Sequence, residues 1–306
     1  MSGRLALVTG AYGFIGRNVA RGLARRGFVV RGIGHGAWKE EESREWGLQT
    51  WTACDVDGEA LARHGGEAEV IVHCAGGASV AAAEARPMDD FHRAVGTTLS
   101  VLDYVRSRSP GSRVVFLSSA AVYGTTDNGP VGEDAPVAPV SAYAMHKLAA
   151  ERLCVEYGAL FAVRSSIVRF TSLIGTGLRK QLLWDACGKL SLGERTFSGT
   201  GEEKRDWLSV EDAVDLIVIA AEHATGRAPV VNGGTGTATT VRDILTELAE
   251  SMGVRERPVF SGDVRRGDPV RLEADVSCAR SWGWEPHIHW RTAVRQYSDW
   301  FLRGAS

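Results

Sequence analysis

Long apolar runs, paired cysteines and an excess of charge are all missing from this 306-residue chain. No apolar stretch approaches the roughly 20 residues that a membrane-spanning helix needs. The five cysteines, Cys54, Cys74, Cys154, Cys187 and Cys278, are scattered without a C-x-x-C pair. That spacing argues against a zinc site or a disulfide frame and suits free thiols in a reducing compartment. A net charge of −2 leaves no electrostatic reason to expect nucleic acid or an anionic membrane surface as partner. Internal repeats and low-complexity linkers are absent, and the chain runs into its first strand without a leader pattern. A cytoplasmic protein with no resident metal is expected. What the sequence does have is length and apolar content, 44% hydrophobic, enough for one or two domains around a sizeable core.

The most informative stretch is Val8-Thr-Gly-Ala-Tyr-Gly-Phe-Ile-Gly-Arg17. Gly10, Gly13 and Gly16 stand in G-x-x-G-x-x-G spacing. An apolar run, Leu5 to Val8, precedes them; Phe14, Val19, Ala20 and Leu23 follow at helical spacing. Strand, tight turn and helix in this order make a phosphate site. Glycine lets the phosphate approach the backbone, and the helix start offers unpaired N–H groups. Gly10, Tyr12, Gly13, Phe14, Ile15 and Gly16 are therefore the first cofactor candidates.

Further apolar strands are predicted at Phe28–Ile33, Trp51–Cys54, Ala68–Cys74 and Arg113–Leu117. A long helix is predicted over 88–108, with Met88, Phe91, Val95, Leu99 and Leu102 at helical spacing. Strands alternating with helices predict an α/β fold with a doubly wound parallel sheet of the Rossmann type. In such folds an acid about 20 residues past the glycines holds the adenosine ribose. Here the second strand ends Ile33-Gly-His-Gly36, with no carboxylate to repel a 2′-phosphate. His35 and Lys39 would attract one, so NADP is expected ahead of NAD. After the fourth strand, Ala75-Gly76-Gly77 again lets backbone pass close to a ligand.

The fifth strand leads into Ser118-Ser119, and Ser141 precedes a helix carrying Tyr143 and Lys147. Four residues apart, Tyr143 and Lys147 share one helical face. A phenol with a pKa near 10 is a poor acid or base at neutral pH, and a neighbouring ammonium favours its ionised form. Ser119 adds a hydroxyl for the same substrate oxygen. Such a set moves a proton on an alcohol or carbonyl while a nicotinamide carries the hydride. By itself the Tyr–Lys spacing also suits a packed ring and a solvated lysine. The glycine loop and Ser119 in the same sheet favour chemistry.

Taken together these motifs resemble the extended short-chain dehydrogenase/reductases of the nucleotide-sugar epimerase/dehydratase group. Gly10–Gly16 resembles the cofactor loop of that group, and Asp55-Val56 falls where its members contact adenine. Ser119, Tyr143 and Lys147 fall on its catalytic Ser/Thr, Tyr and Lys. Arg205-Asp-Trp-Leu-Ser-Val-Glu-Asp212, Val231-Asn-Gly-Gly234, Arg265-Arg-Gly-Asp-Pro269 and Gly283-Trp-Glu-Pro286 resemble its later motifs. The resemblance implies a smaller, discontinuous substrate lobe over about 171–204 and 229–306. The dinucleotide domain would then be 1–170 plus about 205–228. It further implies Ala75, Gly76 and Phe170 at the cofactor. Ser119, Ala121, Ser172, Arg205 and Arg265 are implied at a nucleotide-diphosphate sugar, where guanidinium groups grip phosphate oxygens. Arg179-Lys180 is expected to be a solvated turn.

Departures from the group narrow the reaction. Ala120 and Ala121 occupy the positions of the acid pair that dehydratases need, and decarboxylases need an acid at the second position. Neither methyl moves a proton, which leaves hydride transfer at a sugar carbon, most often carbon 4. Ala94 and Ser172 replace asparagines usual in the group. With NADP expected, a 4-ketoreductase is placed slightly ahead of a 4-epimerase. A non-catalytic NAD(P)-binding sensor is the minor alternative. The resemblance also implies a homodimer formed through the helices at 88–108 and 143–158. The C-terminal tryptophans Trp282, Trp284, Trp290 and Trp300 are expected in the core.

Overall fold

A computed structural model describes residues 3–77, 79–126, 129–263 and 271–304. Seven strands form one parallel sheet: β1 (Leu5–Thr9), β2 (Val29–Gly34), β3 (Thr50–Ala53), β4 (Val70–His73), β5 (Arg113–Ser119), β6 (Arg164–Phe170) and, later in the chain, Val230–Gly233. Their spatial order puts Val230–Gly233 at one edge, then β6, β5, β4, β1, β2 and β3. Sequence order reverses between β1 and β4, the switch point outside which open α/β sheets bind ligands.

β1 is apolar from Leu5 to Val8 because helices cover both faces of the sheet. Ala6 and Val8 pack with Val19, Ala20 and Leu23 of the helix Phe14–Arg25 and with Val214 and Ile217 of the helix Val210–Glu222. Leu7 points the other way, to Ile71, Phe116 and Ile167 of neighbouring strands and to Val101, Leu102 and Cys154 of two further helices. Each such fully buried aliphatic side chain contributes about 1.5–3 kcal/mol.

A second sheet is built from β7 (Ser172–Ile174), β9 (Lys204–Ser209), β11 (Ala238–Thr240) and β13 (Arg271–Leu272); β8 (Thr196–Phe197) and β12 (Val259–Phe260) pair separately, and the edge strand Val230–Gly233 is β10. One residue separates the end of β6 from the start of β7, so the second sheet starts at the C-terminal rim of the first. Its own core gathers Ile174, Leu183, Trp207, Ile244, Leu248, Val294 and Tyr297. The boundaries drawn from the sequence need two changes. Lys204–Ser209 hydrogen-bonds to β7, β11 and β13, not to the main sheet, and Val230–Gly233 pairs with β6. Both strands are short, Lys204–Ser209 carrying three charged residues and Val230–Gly233 two valines, and their pairing partners assign them.

The long helix predicted over 88–108 is present as one helical run, but it is not α-helical throughout. A short helix Pro87–Phe91 runs into a π turn at His92–Gly96 before the helix Thr97–Arg108 begins. The apolar spacing misled here. Met88, Phe91 and Leu99 are exposed, whereas Ala94, Val101, Leu102 and Val105 are buried. Trp284 is buried, with its Nε1 donating to the Asp212 carbonyl at 3.0 Å. Trp282 stacks on His223, and Trp290 and Trp300 are partly buried against the second core.

Candidate active site

The turn after β1 is tight enough to demand glycine at two places. Gly10 has φ +68°, and a Cβ there would lie 2.7 Å from the Ala75 nitrogen; one on Gly16 would lie 2.3 Å from the Gly10 carbonyl oxygen. Gly13 caps the helix Phe14–Arg25 with no side-chain hydrogen bond and no acid in the first turn. The first N–H groups are thus left for an anion.

One cleft of about 1650 Å³ connects this turn to the other nominated residues. Single-ligand pockets run to roughly 1,000 Å³, so the volume suits a dinucleotide and a second ligand together. Gly10, Tyr12, Gly13, Phe14, Ile15, Gly16, His35, Asp55, Val56, Ala75, Gly76, Ser119, Ala121, Tyr143, Lys147, Phe170, Ser172 and Arg205 all line it. Arg265 lies outside the described residues. Arg179 and Lys180 are exposed, as expected of a turn, yet both stand on the cleft wall.

At one end the register of β2 against β3, Gly34 opposite Ala53, brings their following residues together. His35 Nε2 lies 2.5 Å from Asp55 Oδ1, both side chains being exposed. A carboxylate thus stands where the sequence suggested none, supplied by β3 instead of β2, and Glu42 and Glu45 line the same cleft. Lys39 instead precedes the helix Glu40–Glu45, its backbone N–H donating to Glu42. An aromatic group that the sequence reading missed stands beside this end. The Tyr12 ring meets Trp38 edge-on at 4.9 Å, and the Arg17 guanidinium lies 5.1–5.2 Å from the rings of Tyr12, Trp38 and Trp46. Three tryptophans within residues 38–51 were the available signal.

At the centre, Ser119 closes β5, and its Oγ accepts the Ala121 N–H at 3.2 Å. Ser141 caps the helix Ala142–Phe161 by accepting the Ala144 N–H, which places Tyr143 in its first turn. Tyr143 hydrogen-bonds to Ser119. Lys147, one turn on, donates from Nζ to the Leu117 carbonyl at 2.8 Å. Burial lowers the Lys147 ammonium to about 8, opposed by the charge of Asp90 and then by Cys74 and Glu151. The Tyr143 phenol is held above its ordinary value by burial, which outweighs the Ser119 hydrogen bond; Asp90 pushes it further up. The sequence expectation that Lys147 lowers it is therefore not what dominates here. The set still brings one proton-bearing phenol, one hydroxyl and one buried cation to the wall of a single cleft.

Asp206, next to Arg205, has a structural role. It is fully buried and accepts from the N–H groups of Thr235 and Gly236, tying β9 to the turn after β10. No three His, Cys, Asp or Glu side chains among the described residues converge on a metal site. None of the described helices is long and apolar enough to cross a membrane.

Residues 6–234 match the NAD dependent epimerase/dehydratase family. This chain belongs to that family. It is 30% identical to a UDP-glucose 4-epimerase of Mycolicibacterium smegmatis, covering 96% of this chain and 97% of that protein. It is 26% identical to UDP-glucuronate 4-epimerase 3 of Arabidopsis thaliana, across 97% of this chain and 76% of that one. The crystal structure of Thermus thermophilus UDP-glucose 4-epimerase in complex with NAD superposes with a TM-score of 0.88 at 25% identity, covering 99% of this chain and all of that one. This epimerase/dehydratase-family chain is thus an enzyme of the short-chain dehydrogenase/reductase type with a Rossmann-like sheet. Within the family, the preference for NADP drawn from Gly34 and His35 finds no support. That solved relative is a complex with NAD, and here the Asp55 carboxylate faces His35 on the cleft wall.

Proposed function

We propose that this protein is an NAD-dependent nucleotide-sugar 4-epimerase acting on a UDP-hexose. The observation that carries the reading is the meeting of Ser119, Tyr143 and Lys147 in the cleft that begins at the Gly10–Gly16 turn, with methyl groups at Ala120 and Ala121. The relatives' activities support epimerisation over the ketoreductase that an NADP preference had favoured. A bound nicotinamide supplies the hydride acceptor and donor. The chain's own part is proton handling and orientation. Tyr143 Oη takes the proton from the sugar 4-hydroxyl and returns it, Ser119 holds the same oxygen, and Lys147 supplies the local positive charge. Arg205, and Arg179 and Lys180 across the cleft, suit a diphosphate. The two lobes, redrawn with Lys204–Ser209 in the smaller, hold cofactor and sugar respectively.

Incubating the purified protein with UDP-galactose and following UDP-glucose by coupled oxidation tests this reading. Tyr143→Phe is expected to lower kcat by at least about 100-fold, the scale of general acid–base catalysis, while NAD stays bound. Unchanged turnover in Tyr143→Phe would refute the assignment. Homodimerisation belongs to the same proposal, because Met88, Phe91, Leu99, Met145, Leu160 and Phe161 are exposed on the helical segments 87–108 and 142–161. A monomer in sedimentation velocity would contradict it.

A further inference from the structure

The site contains a buried carboxylate–imidazole contact that the proposed reaction does not use. Asp90 Oδ2 lies 2.7 Å from His146 Nδ1, and both residues are buried. Asp90 belongs to the short helix Pro87–Phe91, which leads into the π turn whose His92, Arg93 and Gly96 line the cleft. His146 sits on the helix of Tyr143, immediately before Lys147. The Phe91 ring meets the His146 ring edge-on at 5.5 Å. The pair therefore pins the π turn to the helix that carries the tyrosine and the lysine. π turns of this kind concentrate at functional sites.

The loop after β4 lies between the two charges. A Cβ on Gly77 would sit 1.7 Å from Asp90 Oδ1, and one on Gly76 would sit 3.5 Å from Lys147 Nζ. Two successive glycines thus clear the space in which the Asp90 carboxylate and the Lys147 ammonium face one loop. The other ionisable groups around Lys147 are Cys74 from the same loop, His73 from β4, and Glu151 and Tyr143 from its own helix. Burial holds the Cys74 thiol up at about 12 and His73 down at about 3, so both are neutral. Glu151 is already engaged by Arg169 and Ser118. Asp90 is the largest favourable charge acting on Lys147.

We propose that Asp90, gripped by His146, is a positioning residue that keeps Lys147 protonated and in place beside Tyr143. The inference rests on the proposed roles of Tyr143 and Lys147. Removing the Asp90 charge acts on both groups with one sign: the ammonium loses its counter-charge, and the phenol loses a repelling anion. Both then release protons at lower pH.

The test reads Lys147 directly, without any substrate. Acetic anhydride labelling of the NAD-loaded protein across pH, with Lys147 acetylation quantified by mass spectrometry, is expected to show a midpoint near 8 for the parent. Asp90→Asn is expected to lower that midpoint by about one pH unit, raising Lys147 labelling at neutral pH several-fold. The double variant Asp90→Asn with His146→Asn keeps a hydrogen-bonding pair without charge and serves if the single variant does not fold; the same shift is expected. An unmoved midpoint overturns the proposal, and so does loss of NAD binding in both variants, which assigns the pair to folding alone. Tyr143→Phe turnover is measured separately. If that variant is inactive while the Asp90→Asn midpoint is unmoved, this inference fails and the catalytic reading survives.

Discussion

Replacing Glu151 by leucine should be among the most damaging single changes in the helix of Tyr143 and Lys147, and replacing its partner as well should undo much of the harm. Glu151 Oε2 accepts Arg169 Nη2 at 2.7 Å, and Oε1 accepts Arg169 Nε at 3.0 Å and Ser118 Oγ at 2.5 Å. The two charged side chains are 4% and 7% exposed. Burial works against the Arg169 charge, yet the carboxylate holds the guanidinium protonated beyond its ordinary range. Without Glu151 that cation keeps the Glu133 carbonyl at 3.2 Å and Tyr123, whose ring lies at 4.8 Å and whose side chain hydrogen-bonds to it, but no carboxylate among these contacts. An unpaired buried charge of this kind costs about 3–5 kcal/mol. The double variant Glu151→Leu with Arg169→Met removes both charges. The Ser118 hydroxyl is unpartnered in both variants; the double also leaves the Glu133 carbonyl unpartnered, a loss of about 1–3 kcal/mol. The double variant is therefore more stable than the single by about 2 kcal/mol. Urea unfolding reads it as midpoint shifts at constant slope. A double variant less stable than the single, or a single variant within about 0.5 kcal/mol of the parent, would refute the reasoning. Because Glu151 lies one turn beyond Lys147, the same pair anchors that helix to β6.

Other outcomes follow from the same geometry. With the Lys147 ammonium lowered to about 8 by burial, kcat/KM should fall as pH rises through that value; a profile flat to about pH 10 contradicts this. His73 is buried between Thr9 and Thr98 and lowered from 6.5 to about 3, so the unfolded chain binds the proton first as pH falls. Its contribution is complete above pH 6.5 and is lost toward pH 3 at up to about 1.4 kcal/mol per unit. His73→Asn should flatten the acid slope of stability, measured by urea midpoints in that window. Asp55→Ala should raise the NADP-to-NAD affinity ratio roughly tenfold by removing an anion near the expected 2′-phosphate position. Titrating each dinucleotide into emptied protein checks it, and an unchanged ratio sinks the explanation offered for NAD.

Local pattern was enough for the part of this protein that depends on neighbours in sequence. The glycine spacing at Gly10, Gly13 and Gly16 meets a turn that physically excludes side chains at two of those positions. Tyr143 and Lys147 share a face because a helix repeats every 3.6 residues. The apolar blocks of β1, β4 and β5 announce strands covered on both sides. Periodicity carries no information about which distant residues meet. His35 and Asp55 come together only through the register of β2 on β3, and Asp90, just ahead of the π turn, meets His146 across 56 residues of chain. Neither β9 nor β10 carries a local mark of its partner, and pairing sends the two to different sheets. The NADP expectation, which finds no support, was drawn from the absence of an acid at the end of β2, and Asp55, just past β3, reaches His35 only through that pairing.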